Sequence, residues 1–176
     1  MDRLRTGRLT QAMSTSPFLL LTSVAAIGAA AVGGLFYAFS TFVMRGLDRT
    51  DPTDAIAAMR GINAEAQANG PFLLMFFGST LLAVAVGVVA ALQLRQPGSG
   101  YLLAGAVLTT VAAVVTVAFN VPLNDQLAAL DPTVLSTVDA AERWHAYLGP
   151  WTAWNHVRTV APLLGSALLL IGLRFR

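Results

Sequence analysis

The sequence contains no cysteine and few charged residues: Asp, Glu, Lys and Arg together make up 11% of the 176 residues. The absence of cysteine excludes disulfides, thiolate metal ligands and cysteine nucleophiles. Lysine is absent too, so all eleven basic residues are arginines, and they are scattered or stand at the ends of apolar runs. Because the net charge is only +2 and no basic stripe is present, we do not expect a nucleic-acid partner.

Signatures of common enzyme classes are missing as well. The chain has no Walker loop, no GxGxxG, no HExxH and no GxSxG. Its apolar runs carry no carboxylate, so a di-iron bundle site would have no ligands. His145 and His156 are the two histidines; either could be an axial haem ligand, but both are predicted on one side of the membrane. We therefore expect no metal and no other cofactor.

The sequence is rich in long hydrophobic segments. It is 56% hydrophobic with a mean hydropathy of +0.66, which is typical of an integral membrane protein. Four stretches reach the roughly 20 residues that cross a bilayer. They are residues 17–44, 71–94, 101–121 and 150–173. We predict an all-α bundle of four transmembrane helices, with one domain over 17–176 after an N-terminal segment, 1–16.

The distribution of arginines predicts the orientation. Arginines precede the first helix, occupy the RQPGSG link between the second and third, and end the chain, whereas the other two connections are net acidic. Both termini are therefore predicted in the cytoplasm, and the protein is expected to be a multi-pass protein of the cell membrane. The first apolar run is longer than a signal peptide's, which favours a retained helix over a cleaved one.

The two acidic connections share the tripeptide Asp-Pro-Thr, at Asp51 and at Asp131. An aspartate before a proline is typical of a helix N-terminus. In the first connection Ile56, Met59 and Ile62 then follow at helical spacing. We therefore predict a short amphipathic helix in each outer connection, and together the two could form a lid.

The fourth helix carries polar residues where lipid-facing ones are expected. At 100° per residue, one arc of this helix holds Trp151, Asn155, Arg158 and Thr159, with Trp154 and His156 on its two flanks. Arg158 lies about 10 Å along the helix from Trp151, at 1.5 Å per residue. An arginine at such depth in a bilayer costs at least a few kcal/mol, so it suggests a functional site.

Other polar residues are predicted at the same depth, which indicates one polar pocket near the outer leaflet. They are Tyr37, Ser40, Thr41, Asn63, Asn120, Asn124, His145 and Tyr147. A purely structural interpretation stays open. Trp and Tyr are enriched at membrane interfaces, Asn and Thr join helices by hydrogen bonds, and Arg158 could pair with a carbonyl or with Asp125.

Several motifs, taken in order, give a family resemblance. FYAFSTFVM, MRGIN, NVPLN and the fourth-helix pattern W-x-x-Y-x-x-x-W-x-x-W-N-H-V-R-T together resemble the anthrone oxygenase family, from about residue 20 to the end. One departure is Arg45, near which the family has a proline. The resemblance implies a small four-helix membrane protein; some members oxidise an anthrone to an anthraquinone with molecular oxygen, without metal or flavin.

Carried over residue by residue, the resemblance marks ten motif positions: Asn63, Asn120, Pro122, Asn124, Trp144, Trp151, Asn155, His156, Arg158 and Thr159.

We interpret these positions by the chemistry they would perform. His156, or His145, would be the base, since a histidine titrates near neutral pH. Arg158 and Asn155 would stabilise the enolate oxygen or a peroxide. Trp151, Trp154 and Tyr37 would stack on a planar substrate. Further substrate contacts are predicted from Asn63, Asn120, Asn124, Trp144, His145 and Thr159.

The expected partners are the lipid bilayer, a small apolar aromatic substrate and O2. The oligomeric state stays open, and a homo-oligomer is one option. A second hypothesis comes from a different class: a non-catalytic membrane protein that binds a lipid, a quinone or a partner subunit through the same pocket. A small exporter is disfavoured because neither internal repeats nor helices broken near the midplane are evident.

Overall fold

The computed structural model describes residues 17–176, and all regular elements in this range are helical. The predicted N-terminal segment, 1–16, lies outside the described residues. We number the helices α1 Pro17–Leu47, α2 Pro52–Ala68, α3 Gly70–Leu92, α4 Ser99–Ala128 and α5 Thr137–Arg174. All except α2 are long and apolar enough to cross a membrane. The protein is therefore an all-α integral membrane protein with four candidate spanning helices.

Two of the spanning helices contain a π-helical turn. In α1 the turn is Phe39–Val43, between Pro17–Ala38 and Met44–Leu47. In α4 it is Thr116–Asn120, between Ser99–Val115 and Val121–Ala128. A π-turn shifts backbone hydrogen bonds from i−4 to i−5 and widens the helix, and such turns are frequent at functional sites.

Helix α5 differs from the sequence prediction. Its 38 residues include Pro150 and Pro162, and it begins where Ser136 Oγ accepts from the backbone N–H of Asp139 at 3.1 Å. The separate short helix predicted after Asp131 is therefore wrong. The Asp131 carboxylate accepts from Thr133 N and Thr133 Oγ1, and these bonds form a tight turn and lower the pKa of that carboxyl. The chain then runs through Pro150 without a break, which membrane helices tolerate.

The first connection does contain a helix. Asp51 caps α2 by accepting from Thr53 N at 2.9 Å, and Pro52 occupies the first turn, where no N–H is needed. The buried side of α2 (Ala55, Ile56, Met59 and Asn63) packs at one end of the bundle, where a core cluster also contains Met44, Leu127, Ala140, Trp144, Tyr147 and Trp151. We call this the α2 end.

Within the bundle, α5 packs against α1 and α4, and α3 packs against the same two helices on the other side. Close approach of α4 and α5 depends on Gly105 and Gly165: a Cβ on either one would lie within 3 Å of the other's backbone oxygen. The predicted turn between α3 and α4 is present, and Gly98 adopts φ 81°, which favours glycine.

Candidate functional site

The predicted polar arc of α5 faces the bundle interior. Trp151, Asn155, Arg158 and Thr159 are all buried, whereas Ala153, Val157, Val160 and Leu164 on the other side are exposed. The angular prediction from the sequence is therefore confirmed for this helix.

Asn155 is the centre of a hydrogen-bond network at the first π-turn. Its Nδ2 donates at 2.8 Å both to the Phe36 carbonyl, just before the turn, and to Ser40 Oγ within it. Its Oδ1 accepts from an Arg158 guanidinium nitrogen, also at 2.8 Å. Thr159 Oγ1 donates to the Asn155 carbonyl and lies 3.0 Å from Ser40 Oγ. Because both ends of the fully buried amide are used, Asn155 holds Arg158 in one orientation.

Arg158 is 4% exposed, and its contacts are neutral groups. Its second terminal nitrogen donates a long bond, 3.4 Å, to Thr116 Oγ1 in the α4 π-turn. The guanidinium carbon lies 4.3 Å from the ring centre of Phe36 and 4.9 Å from that of Trp151. Its Nε has no hydrogen-bond partner. Only two of the five guanidinium N–H groups are thus engaged within residues 17–176.

No carboxylate accompanies this cation among the described residues. Asp125, which the sequence left open as a partner of Arg158, is exposed, and Arg158 bonds to Asn155 and Thr116 instead. Burying a charge without a counter-ion costs several kcal/mol. Two aromatic faces offset part of this cost, but they leave the positive charge unneutralised. The arrangement suits an anionic ligand.

A cavity of about 860 Å³ leads to Arg158 from the α2 end. Its volume lies within the range of small-molecule sites. The walls are mainly apolar, and they include Phe36, Phe39, Phe72, Phe76, Phe77 and Trp151. The polar lining consists of Arg158, Thr116, Asn124 and Asn63, with Glu65, Gln67 and Asn69 from the end of α2 and its junction with α3. Among these lining residues, Arg158 and Glu65 are the two with ionisable side chains.

The three predicted asparagines outside α5 have different surroundings. Asn124 lines the cavity, and its Oδ1 accepts from Tyr147 Oη at 2.9 Å and Trp151 Nε1 at 2.8 Å. Asn63 lines it too, and its buried Nδ2 has no partner. Asn120 is fully buried, donates to the Trp151 carbonyl at 3.2 Å, and leaves its Oδ1 unpaired.

Other predicted site residues lie away from the cavity lining. Tyr37 is exposed, and Trp154 stacks on Phe119 with ring centres 3.7 Å apart. Trp144 is buried and donates from Nε1 to Asp48 Oδ1 at 2.9 Å, which joins α5 to the end of α1. Thr159 contacts the cavity only indirectly, through Asn155 and Ser40.

Both histidines lie on the exposed side of α5. They are eleven positions apart along the chain, close to three helical turns, so both lie on the same outward-facing side of the helix. The base role predicted for His156, or alternatively for His145, gains no support from this placement, because a general base must come within hydrogen-bond reach of the proton it removes.

The sequence-based interpretation missed the phenylalanine wall and Thr116. Phe36, Phe72 and Phe76 stand in apolar runs where nothing in the pattern separates a cavity wall from a lipid-facing side chain. Thr116 had a usable signal: it precedes Asn120 by four residues and therefore lies on the same side of α4.

The described residues contain no cluster of side chains that could bind a metal ion. Within residues 17–176, no three side chains of His, Cys, Asp or Glu come together as a metal site would require. This agrees with the residue types that the cavity presents.

Comparison with known families decides the relationship. The family model described as anthrone oxygenase matches residues 72–168, which is more than half of the 176-residue chain. The chain belongs to the anthrone oxygenase family. The match covers most of α3, all of α4 and α5 up to Leu168, and so contains NVPLN, Arg158 and Asn155.

The anthrone oxygenase match starts after α1 and α2, which supply Phe36, Ser40 and Asn63. Searches of curated proteins and of solved structures gave no significant match to the chain. The family and the cavity are therefore what indicates the function.

Proposed function

We propose that this anthrone oxygenase family member oxidises a planar phenolic or anthrone-like substrate with O2, without metal or flavin, in the cavity that ends at Arg158. The observation that carries the proposal is the buried guanidinium with no carboxylate beside it among the described residues. A substrate anion would supply the missing negative charge.

In this reaction the substrate must lose a proton and become an anion before it reacts with O2. Loss of a proton from the carbon opposite the carbonyl of an anthrone gives a delocalised enolate. The enolate passes one electron to O2, and the resulting carbon radical and superoxide combine to form a C–O bond. Loss of the second proton from that carbon, with cleavage of the O–O bond, gives the new carbonyl. The net change converts a CH2 group and O2 into a C=O group and water.

Arg158 would stabilise the enolate oxygen, and afterwards the peroxide. A fixed cation in a water-poor cavity acts more strongly than it would in water. Asn155 keeps the guanidinium in place and faces no ligand itself, since it is fully buried and both ends of its amide are used. Asn155 is thus a positioning residue in this proposal.

The aromatic walls would hold the flat substrate. Phe36 and Phe76 pack edge to face, with ring centres 5.9 Å apart, and Phe39 lies 5.7 Å from the Trp151 ring. These side chains offer faces and edges that suit a fused ring system. O2 and an apolar aromatic both concentrate in lipid, which explains why such an enzyme would be a membrane protein.

The proton would leave through the mouth of the cavity. Glu65 is exposed there and is the single carboxylate among the lining residues. We propose that water at this mouth, with Glu65 beside it, accepts the proton, while Arg158 makes the substrate more acidic. This proposal does not use His156.

We further propose that the α2 end faces the outer side of the cell membrane. The charge distribution supports this orientation. The α3–α4 turn and the end of α5, which lie at the opposite end, carry Arg95, Arg174 and Arg176 and no carboxylate, whereas the connections at the α2 end are net acidic.

A second candidate function is binding without chemistry. The mainly apolar cavity with one buried cation would equally suit a lipid with an acidic head or a quinone. Turnover separates the two candidates.

The test is O2 uptake by the purified protein with dithranol (1,8-dihydroxyanthrone) after treatment with a chelator. Arg158→Met removes the charge at similar length, and Arg49→Met makes the same change at an exposed position. We expect chelator-resistant uptake in the wild type and in Arg49→Met, and at least a hundredfold loss in Arg158→Met. Uptake no faster than the spontaneous rate in the wild type would favour the binding protein.

A further inference from the structure

The orientation of the Asn124 amide is fixed by its neighbours. Its Oδ1 accepts from Trp151 Nε1 at 2.8 Å and from Tyr147 Oη at 2.9 Å. An indole N–H can only donate, so the Asn124 atom facing Trp151 must be the oxygen. The amide nitrogen therefore points away from Trp151.

The amide nitrogen of Asn124 is free to meet a ligand. It makes no hydrogen bond to any of residues 17–176, and the half-buried side chain lines the cavity. Asn155 provides the contrast, since it is fully buried and both ends of its amide are used within the bundle. In Asn124 only the amide oxygen is engaged, and it accepts two hydrogen bonds.

We infer that Asn124 determines substrate specificity: its amide N–H group donates to a second acceptor oxygen on the ligand whose anionic oxygen Arg158 binds. Trp151 and Tyr147 are positioning residues that prevent the amide from turning over. The inference rests on the proposed function for the role of Arg158. The ligand class is a planar anion with an additional oxygen, a carbonyl or a hydroxyl, on its rim.

Two probes differ in this feature. Anthrone has one oxygen, whereas dithranol carries two more on its rim. Without O2 neither is consumed, so the dissociation constants of both can be measured for the protein in lipid nanodiscs under anaerobic conditions. The informative quantity is the ratio of the two constants, because comparing this ratio between variants cancels the different lipid solubilities and acidities of the probes.

The central variant is Asn124→Asp. The new carboxylate still offers an oxygen that accepts from Trp151 Nε1 and Tyr147 Oη, but the amide donor is lost. The variant therefore keeps the hydrogen bonds that join the helices here. Gln126→Glu is the matched control, because it makes the same amide-to-carboxylate change two residues away, at an exposed side chain outside the cavity lining. Asn124→Leu removes the donor without adding charge.

We expect the wild type and Gln126→Glu to bind dithranol more tightly than anthrone. In Asn124→Asp and Asn124→Leu this preference should fall about tenfold, as expected for a lost hydrogen bond in an anion site. Trp151→Phe, which frees the amide to turn over, should reduce the preference too.

The outcomes separate this inference from the proposed function. Binding that depends on Arg158, with a probe ratio that Asn124→Asp leaves within twofold of the wild type, overturns the inference alone. A changed ratio without turnover in air supports the inference and overturns the oxygenase. Failure of the wild type to bind either probe contradicts both.

Discussion

The Arg158 guanidinium donates a 2.8 Å hydrogen bond to Asn155 Oδ1, one helical turn before it on α5. The other end of the same amide is anchored to the Phe36 carbonyl at the edge of a π-turn. The cation is therefore fixed by a neutral partner, which leaves its charge available. A carboxylate at position 155 would hold the guanidinium equally well and would neutralise it.

This relationship predicts the effect of Asn155→Asp. The variant places a carboxylate against Arg158, so the internal ion pair competes with the substrate anion. We expect kcat/KM for dithranol oxidation to fall at least a hundredfold, about 2.7 kcal/mol of transition-state stabilisation. Steady-state O2 uptake measures this. Activity within threefold of the wild type would show that the free charge of Arg158 is not needed.

Arg158→Met should separate stability from activity. Burying a charge that lacks a counter-ion costs several kcal/mol, and an apolar side chain of similar length avoids this cost. The loss of the hydrogen bond to Asn155 Oδ1 costs less. We therefore expect an unchanged or higher Tm together with lost turnover. Thermal unfolding in detergent, followed by circular dichroism, checks this. A Tm several degrees lower would instead indicate that Arg158 mainly joins the helices.

His156→Ala is expected to retain wild-type turnover, because the imidazole lies on the exposed side of α5 and away from the cavity lining. His145→Ala, at the other exposed histidine, provides the comparison. Complete kinetics with dithranol over pH 6 to 9 would decide the matter. Loss of activity in His156→Ala alone, with the fold intact, would restore His156 as the base.

Asp48→Ala should affect stability only. Its carboxylate accepts from Trp144 Nε1 at 2.9 Å and joins the end of α1 to α5 outside the cavity. Removing the acceptor should cost about 1 kcal/mol, measured as a lower Tm at unchanged KM. Asp125→Ala, at an exposed carboxylate of α4, should leave the Tm unchanged. A raised KM in Asp48→Ala would show that this contact also shapes the site.

Much of the fold could be predicted because the physical signals are strong. Apolar runs of bilayer length located the four spanning helices, and the 100° periodicity of α5 correctly placed Trp151, Asn155 and Arg158 inside. The extent of α5 could not be predicted. A proline such as Pro150 usually marks a helix boundary in a sequence, but a long membrane helix tolerates it. The segment predicted as a second outer helix therefore forms the first turns of α5.

The site was only partly predictable. A helical wheel predicts the side of the helix on which a residue lies, but not how far its side chain reaches into a cavity or which groups it bonds to. It separated Arg158 from the lipid side, yet left His156 at the edge of the arc, where the structure exposes it. Likewise, Trp154 and Tyr37 are aromatic at the predicted depth but lie outside the cavity lining. The two π-turns leave no mark in the sequence, although they present Ser40 and Thr116 to the network.

The most direct test of the central claim, that Arg158 is the counter-ion of a substrate anion, is the pKa of bound dithranol. Its ionisation can be followed by absorbance under anaerobic conditions in nanodiscs, with wild-type protein and with Arg158→Met. A nearby cation favours the deprotonated form, so we predict a pKa at least about one unit lower on the wild type than on the variant. Equal pKa values on the two proteins would contradict the account.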